Sequence, residues 1–149
     1  MSRTVIIGSD HAGFALKHVL VEQLKADGYN VVDLGPASAQ SCDYPVYAQS
    51  VCERVLAADN SNGPETLGIL VCGTGIGMSM AANRIPGIRA ALCACEFHAR
   101  GTRQHNNANV ICLGERVTGP GLAMDMVRIF LETPFEGGRH QRRIEIFDK

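Results

Sequence analysis

Cys72 closes an apolar run and stands directly before Gly73, Gly75 and Gly77 in LVCGTGIGMSMAAN, residues 70–83. Alternate glycines between a strand and a helix invite three phosphate-loop readings. A dinucleotide fingerprint needs G-x-G-x-x-G, and counting from Gly73 places Met78 at the third glycine. A P-loop needs Gly-Lys followed by Ser or Thr, which is missing. A phosphatase-type thiol loop carries arginine six residues after its cysteine, and that residue is again Met78. What remains is a turn whose backbone N–H groups converge on one point, a nest for an oxyanion and a setting that favours a neighbouring thiolate. A proton abstracted beside a carbonyl leaves an enediolate, the kind of developing charge such N–H groups hold. Thr74, between the glycines, adds a hydroxyl that both donates and accepts. On this loop alone a plainer reading stays open, in which Cys72 fills a strand end and the glycines tighten a turn.

Other polar residues stand where apolar runs end. Asp10 and His11 follow the first run, and the pair serves either as a helix cap or as sugar, phosphate and acid–base ligands. In RQHNNAN, His105 is flanked by Arg103, Asn106 and Asn109, a pattern that a solvated loop also explains. Arg116 follows the last apolar run. Arg139 and Arg143 are four apart, so they share one face near the start of a helix. Two guanidinium groups on one face suit a phosphate monoester, and a basic surface helix is the alternative. The remaining cysteines, 42, 52, 93, 95 and 112, form no CxxC pair and no Cys/His cluster spaced for zinc, and most of them read as small buried apolar residues.

The elements that must position these groups are legible from periodicity. Near-continuous apolar runs at 4–8, 30–35, 67–72, 88–93 and 109–114 predict strands covered on both faces of a parallel sheet. Helical spacing predicts helices over 13–27, 43–58, 76–84, 97–104, 119–132 and 138–147. The first carries an apolar stripe of Phe14, Leu16, Val19, Leu20 and Leu24 and ends at Gly28; the second has Asp43 as its cap, Pro45 in its first turn, and Val51 and Val55 on one face. Alternating strands and helices predict one domain over 1–149, an α/β, Rossmann-like doubly wound sheet of about five parallel strands flanked by helices. Such folds bind ligands outside the carboxyl ends of their strands, which selects the turns at 8–14, 71–79 and 93–109. The net charge of −1 and 19% charged residues argue against a nucleic-acid partner. The N-terminal stretch has no signal-peptide core and no run approaches the ~18 apolar residues of a membrane span, so a cytoplasmic protein is expected.

Taken together, GSDHAGF, DYPVYA, CGTGIGMSMAANRIPGIRAA, RQHNNANV and FEGGRHQRRIE resemble the type B ribose-5-phosphate isomerase family and its sugar-phosphate isomerase relatives, in matching order along nearly the whole chain. The resemblance implies an aldose–ketose isomerase interconverting ribose 5-phosphate and ribulose 5-phosphate through an enediolate, in the non-oxidative pentose phosphate pathway, without metal or cofactor. It implies a homodimer or a dimer of dimers with the active site shared between subunits, the 105–116 segment coming from the neighbouring chain. By the family pattern Cys72 is the base that moves the proton between C2 and C1. Gly73, Thr74, Gly75, Gly77 and Ser79 fall in the loop that holds the enediolate oxygens, with Thr74 assisting proton traffic. His105, helped by Asp10, opens the furanose ring. His11, Arg116, Arg139 and Arg143 bind the phosphate, while Tyr44 and Asn106 line the sugar pocket. Some relatives use a glutamate a few residues after position 72 as base, and here GIGMSM offers no carboxylate. Phe97 and Asn107 stand where tyrosine and aspartate are common. A six-carbon substrate such as allose 6-phosphate fits the same proton shuttle in a roomier pocket. A non-catalytic nucleotide-binding module is the rival from another class, and Met78 argues against it.

Overall fold

A computed structural model describes residues 2–148. The chain runs β1 (Thr4–Ser9), a single 3-10 turn (His11–Gly13), α1 (Phe14–Ala26), β2 (Asn30–Asp33), α2 (Tyr44–Leu56), β3 (Leu67–Cys72), α3 (Ile76–Ala82), β4 (Ala90–Leu92), α4 (Glu96–Asn106), β5 (Val110–Gly114), α5 (Pro120–Glu132) and α6 (Arg139–Phe147). The five strands form one sheet in the order β2-β1-β3-β5-β4, every pair parallel. The predicted doubly wound α/β architecture is therefore the observed one. Among the described residues no helix is long and apolar enough to cross a membrane.

The three inner strands are buried along nearly their whole length, which accounts for their unbroken apolar runs. The outer two are shorter than the sequence predicts. β2 pairs only with β1 and β4 only with β5, so the ends of both apolar runs lack a second neighbour and leave the ladder. Side chains alternate across the sheet. In β3, Leu67, Ile69 and Val71 join the core formed with α1, α4 and α5, while Leu70 and Cys72 join the smaller core beneath α2 and α3. A register slip of one residue would turn the thiol to the opposite layer.

Helix ends follow local chemistry, with some exceptions. Gly28 takes φ +91° just after α1 and Pro45 lies in the first turn of α2, as expected. Asp43 occupies the N-cap of α2 but makes no side-chain capping bond, contrary to the sequence reading. The amino end of α1 is served instead from far along the chain, where Glu115 accepts the Leu16 N–H at 2.6 Å. On the same helix Lys17, inside the expected apolar stripe, is only 2% exposed and grips both carboxylate oxygens of Asp33 at 2.8 and 3.0 Å. That pair ties α1 to the end of β2, and its burial is tolerated because the ammonium is fully matched.

Candidate active site

The strand order creates crevices. The chain winds outward from β1 to β2, then returns past β1 to β3, so the helices that follow β1 and β3 leave the sheet on opposite faces. Asp10 and His11 emerge at one lip and Cys72 and Gly73 at the other. A second gap lies between β3 and β5, where β5 inserts before β4. Arg116 follows β5 there, its N–H bonded to the Gly73 carbonyl at 3.0 Å.

At the centre the Gly75 N–H donates to the Cys72 sulfur at 3.1 Å. That bond fixes the sulfur against the turn. The thiol is 5% exposed, at the end of a strand whose face alternation aims it at this turn. Burial pushes the Cys52 and Cys93 thiols up to about 12 and Cys112 well above its ordinary value, so these are apolar filler as expected. Thr74 is exposed; its Oγ1 accepts the Ile76 N–H at 3.2 Å and keeps its own proton for donation.

The glycines have separate reasons. Gly75 takes φ +80°, and a Cβ there would lie 2.6 Å from Leu92. Gly77 lies inside α3, against the ring of Tyr44, with which a Cβ would collide at 2.8 Å. Ser79 is also in α3 rather than in the loop, and its hydroxyl donates to the Ile76 carbonyl at 2.8 Å, which takes it away from the turn. Met78, the residue that breaks the phosphate-loop patterns, is fully buried beneath α3 and anchors the helix to the core. The sequence reading missed Gly114: a Cβ on it would lie 2.5 Å from the backbone of Thr74. Its only sequence signal is a glycine ending an apolar run. Gly114→Ala is expected to push Thr74 away, costing ~1–3 kcal/mol of stability and most of the turn's activity; thermal unfolding and initial rates measured together check this, and unchanged rates would separate Gly114 from the site.

Around this centre, Asp10 Oδ1 caps the 3-10 turn by accepting the Gly13 N–H at 3.1 Å. His11 Nδ1 accepts the Cys42 N–H at 3.3 Å, which assigns its ring proton to Nε2 and leaves that nitrogen as a donor. Arg116 reaches back over the turn, its Nη1 3.4 Å from where a Gly73 Cβ would be. Asp10, His11, Tyr44, Cys72, Thr74, the glycine turn and Arg116 of one chain thus share the carboxyl end of the sheet. Arg116 departs from the expectation that the whole 105–116 segment serves the neighbouring chain.

His105, Asn106, Arg139 and Arg143 lie elsewhere. α4 runs back from β4 to the start of β5, so His105 and Asn106, in its last turn, come to the amino end of the sheet. In the register, Cys72 pairs with Gly114 and Gly68 with Val110, a separation of ~13 Å at about 3.3 Å per residue. His105 stacks on His140 of α6 with ring centroids 4.4 Å apart. Arg139 and Arg143 are exposed on that helix. The polar RQHNNAN segment is therefore mostly helix, not loop. Arg103 points inward, 4% exposed, pairing with Glu65 at 3.1 Å, while Asn107 closes α4 in the left-handed conformation at φ 45°. Asparagine tolerates that conformation and its Oδ1 accepts from Arg103 at 3.2 Å.

A further cluster escaped the sequence reading. His105, Glu136 and His140 bring one potential ligand atom each within 4.8 Å of one another. Burial, with the nearby His105 and Arg139, holds the His140 imidazole below its ordinary pKa, toward the neutral form. No CxxC-like spacing announces this group, because α4 and α6 meet only in three dimensions.

A doubly wound parallel sheet with a thiol, a hydroxyl and a glycine turn at its switch point defines an α/β protein equipped for proton transfer on a small polar ligand. The chain belongs to the Ribose/Galactose Isomerase family, whose model matches residues 5–147. The Escherichia coli ribose-5-phosphate isomerase B is 44% identical over 143 residues, covering 96% of this chain and 93% of that one. A probable ribose-5-phosphate isomerase B of Mycoplasma genitalium is 47% identical over 146 residues, covering 97% and 93%. The structure of the M. genitalium enzyme with bound ribulose-5-phosphate superposes with a TM-score of 0.90 over 98% of this chain and 94% of that one, at 47% identity. That of the Clostridium thermocellum ribose-5-phosphate isomerase B gives 0.91 over 97% and 95%, at 44% identity.

Proposed function

We propose that this chain interconverts ribose 5-phosphate and ribulose 5-phosphate by proton transfer through an enediolate. The observation that carries the reading is the Gly75 N–H on the Cys72 sulfur at 3.1 Å, beside the free hydroxyl proton of Thr74. Family membership and the ribulose-5-phosphate held by the M. genitalium structure support the substrate class.

Ring opening comes first: His105 delivers a proton to the ring oxygen as the C1 hydroxyl gives its own to the Asp10 carboxylate, yielding the open aldehyde. The Cys72 thiolate then takes the C2 proton, and the electron pair moves onto the carbonyl oxygen at C1. The turn's N–H groups hold the resulting enediolate charge. Thr74 passes the proton of the C2 hydroxyl to the oxygen at C1, and the Cys72 thiol returns its proton to C1. The product is the ketose, and the sulfur ends as it began. His11 and Arg116, with Arg139 and Arg143, hold the phosphate; Tyr44 and Asn106 bound the sugar; and the Asp10 carboxylate assists at the ring. Three of the glycines, Gly73, Gly75 and Gly77, let the chain approach the substrate closely.

Acid–base groups act within hydrogen-bond reach of the reacting atoms, ~3 Å. Cys72 and His105 of one chain stand at opposite ends of the sheet, so one sugar cannot use both. The site is completed by a second copy in a homodimer, or a pair of dimers, which offers its His105, Asn106, Arg139 and Arg143 to this chain's Cys72. The surface fits such a partner. Phe97 is 76% and Met80 66% exposed, with Ile76 and Leu92 also exposed beside the short edge strand β4. Gly101, one turn beyond Phe97, leaves open space on α4 for another chain to approach.

A metal-stripped assay tests the reading. Turnover of ribose 5-phosphate without added metal is expected, with a kcat/KM above that for allose 6-phosphate. A higher value for the hexose would move the substrate to six carbons, and inactivity on both would remove the isomerase reading.

A further inference from the structure

We infer that His105, Glu136 and His140 form a binding site for a divalent transition-metal ion of the zinc class, with His105 as the ligand that the ion takes from catalysis. The ligand set is two imidazoles and a carboxylate, which borderline cations prefer. Glu136 Oε2 lies 3.9 Å from His105 Nε2 and 3.8 Å from His140 Nε2. Those separations are too long for N–H···O bonds. They are somewhat longer than the roughly 3.3–3.6 Å edge of a tetrahedron with metal–ligand distances of about 2.0–2.2 Å. The three ligand atoms all lie within 4.8 Å of one another without bonding, and one ion closes the space between them once the exposed His105 and Glu136 side chains swing inward.

The rings need one adjustment. Their planes are 17° apart at a centroid distance of 4.4 Å, so a shared ion in both planes requires them to splay. His140, with 9% of its side chain exposed, is held in place, whereas the His105 side chain is 49% and Glu136 48% exposed, leaving both room to swing. Both imidazoles must be neutral to ligate, and the surroundings of His140 already favour that form. Arg139 and Arg143 face His140 and oppose a cation, which keeps the site weaker than a structural zinc centre and the ion exchangeable. A fourth position stays open, as in sites with three protein ligands. On the reading of His105 as the ring-opening acid, the ion removes the nitrogen that protonates the ring oxygen and so acts as a reversible inhibitor.

Calorimetric titration of the reduced, assembled protein with Zn²⁺, paired with visible spectra on adding Co²⁺, tests the site. The expected result is one ion per chain, with cobalt d–d bands and no sulfur-to-cobalt charge transfer. His140→Ala and Glu136→Gln should each weaken binding by at least about 100-fold, beyond the 10- to 100-fold that an outer-shell partner costs. If His140→Ala fails to fold because that side chain is buried, the half-exposed Glu136→Gln carries the comparison. Absence of saturable binding, binding that survives in the folded variants, or thiolate charge transfer would overturn the site. Zinc is also expected to inhibit ribose 5-phosphate turnover and a chelator to restore it. Saturable binding at these residues with undiminished turnover would uphold the site and overturn the role given to His105.

Discussion

Serine at position 72 is expected to slow ribose 5-phosphate isomerisation by roughly 100- to 10,000-fold, the span for removing a positioned acid–base group. The substitution is nearly isosteric, and its oxygen still accepts the Gly75 N–H that now meets sulfur at 3.1 Å, so the turn keeps its shape. What changes is acidity, because a serine hydroxyl does not ionise near neutral pH as a thiol does. Unfolding temperature and calorimetric affinity for ribose 5-phosphate should stay close to those of the unmodified protein. Exchange of the C1 proton with deuterated water, followed from the ribulose 5-phosphate side, should disappear along with turnover. Rates within about tenfold of the original would remove Cys72 as the base and leave the turn a role in charge stabilisation alone.

The second large effect follows from the proposed division of the site between two chains. Cys72→Ala and His105→Ala are each expected to be nearly inactive, and a mixture dissociated and reassembled at equal amounts should regain about a quarter of the original activity. Random pairing makes half the dimers mixed, and each mixed dimer holds one site with both groups intact and one with neither. The register places the two groups of one chain ~13 Å or more apart along the sheet, and no side chain spans that gap. Recovery well below this level, with mixed dimers confirmed by native mass spectrometry, would mean that the two residues do not meet across an interface.

Much of this candidate site is legible in the sequence. Asp10, His11, Cys72 and Arg116 each end an apolar run, and in an open parallel sheet the carboxyl ends of the strands lie together. Met78 breaks the phosphate-loop patterns for a reason the sequence does not display: that side chain is part of the core beneath α3. Errors arose where a residue's partner is distant in sequence. Lys17 interrupts an apolar stripe because Asp33, on a neighbouring strand, neutralises it. Glu115 serves the amino end of a helix 99 residues earlier, while Asp43, the local candidate for such a role elsewhere, makes no capping bond.

By itself the sequence determined the alternation of strands and helices, the turns where chemistry sits and the candidate residues within them, because periodicity and turn chemistry act over a few residues. Tertiary structure alone decided the rest. The strand order β2-β1-β3-β5-β4 opened the crevices, and face alternation along β3 aimed Cys72 toward the Gly75 N–H instead of the opposite helix layer. The reversal of α4 between β4 and β5 carried His105 to the far end of the sheet, against Glu136 and His140. These depend on which strands pair and which helices cross, and the contacts that select them join residues tens of positions apart, so no local pattern records them.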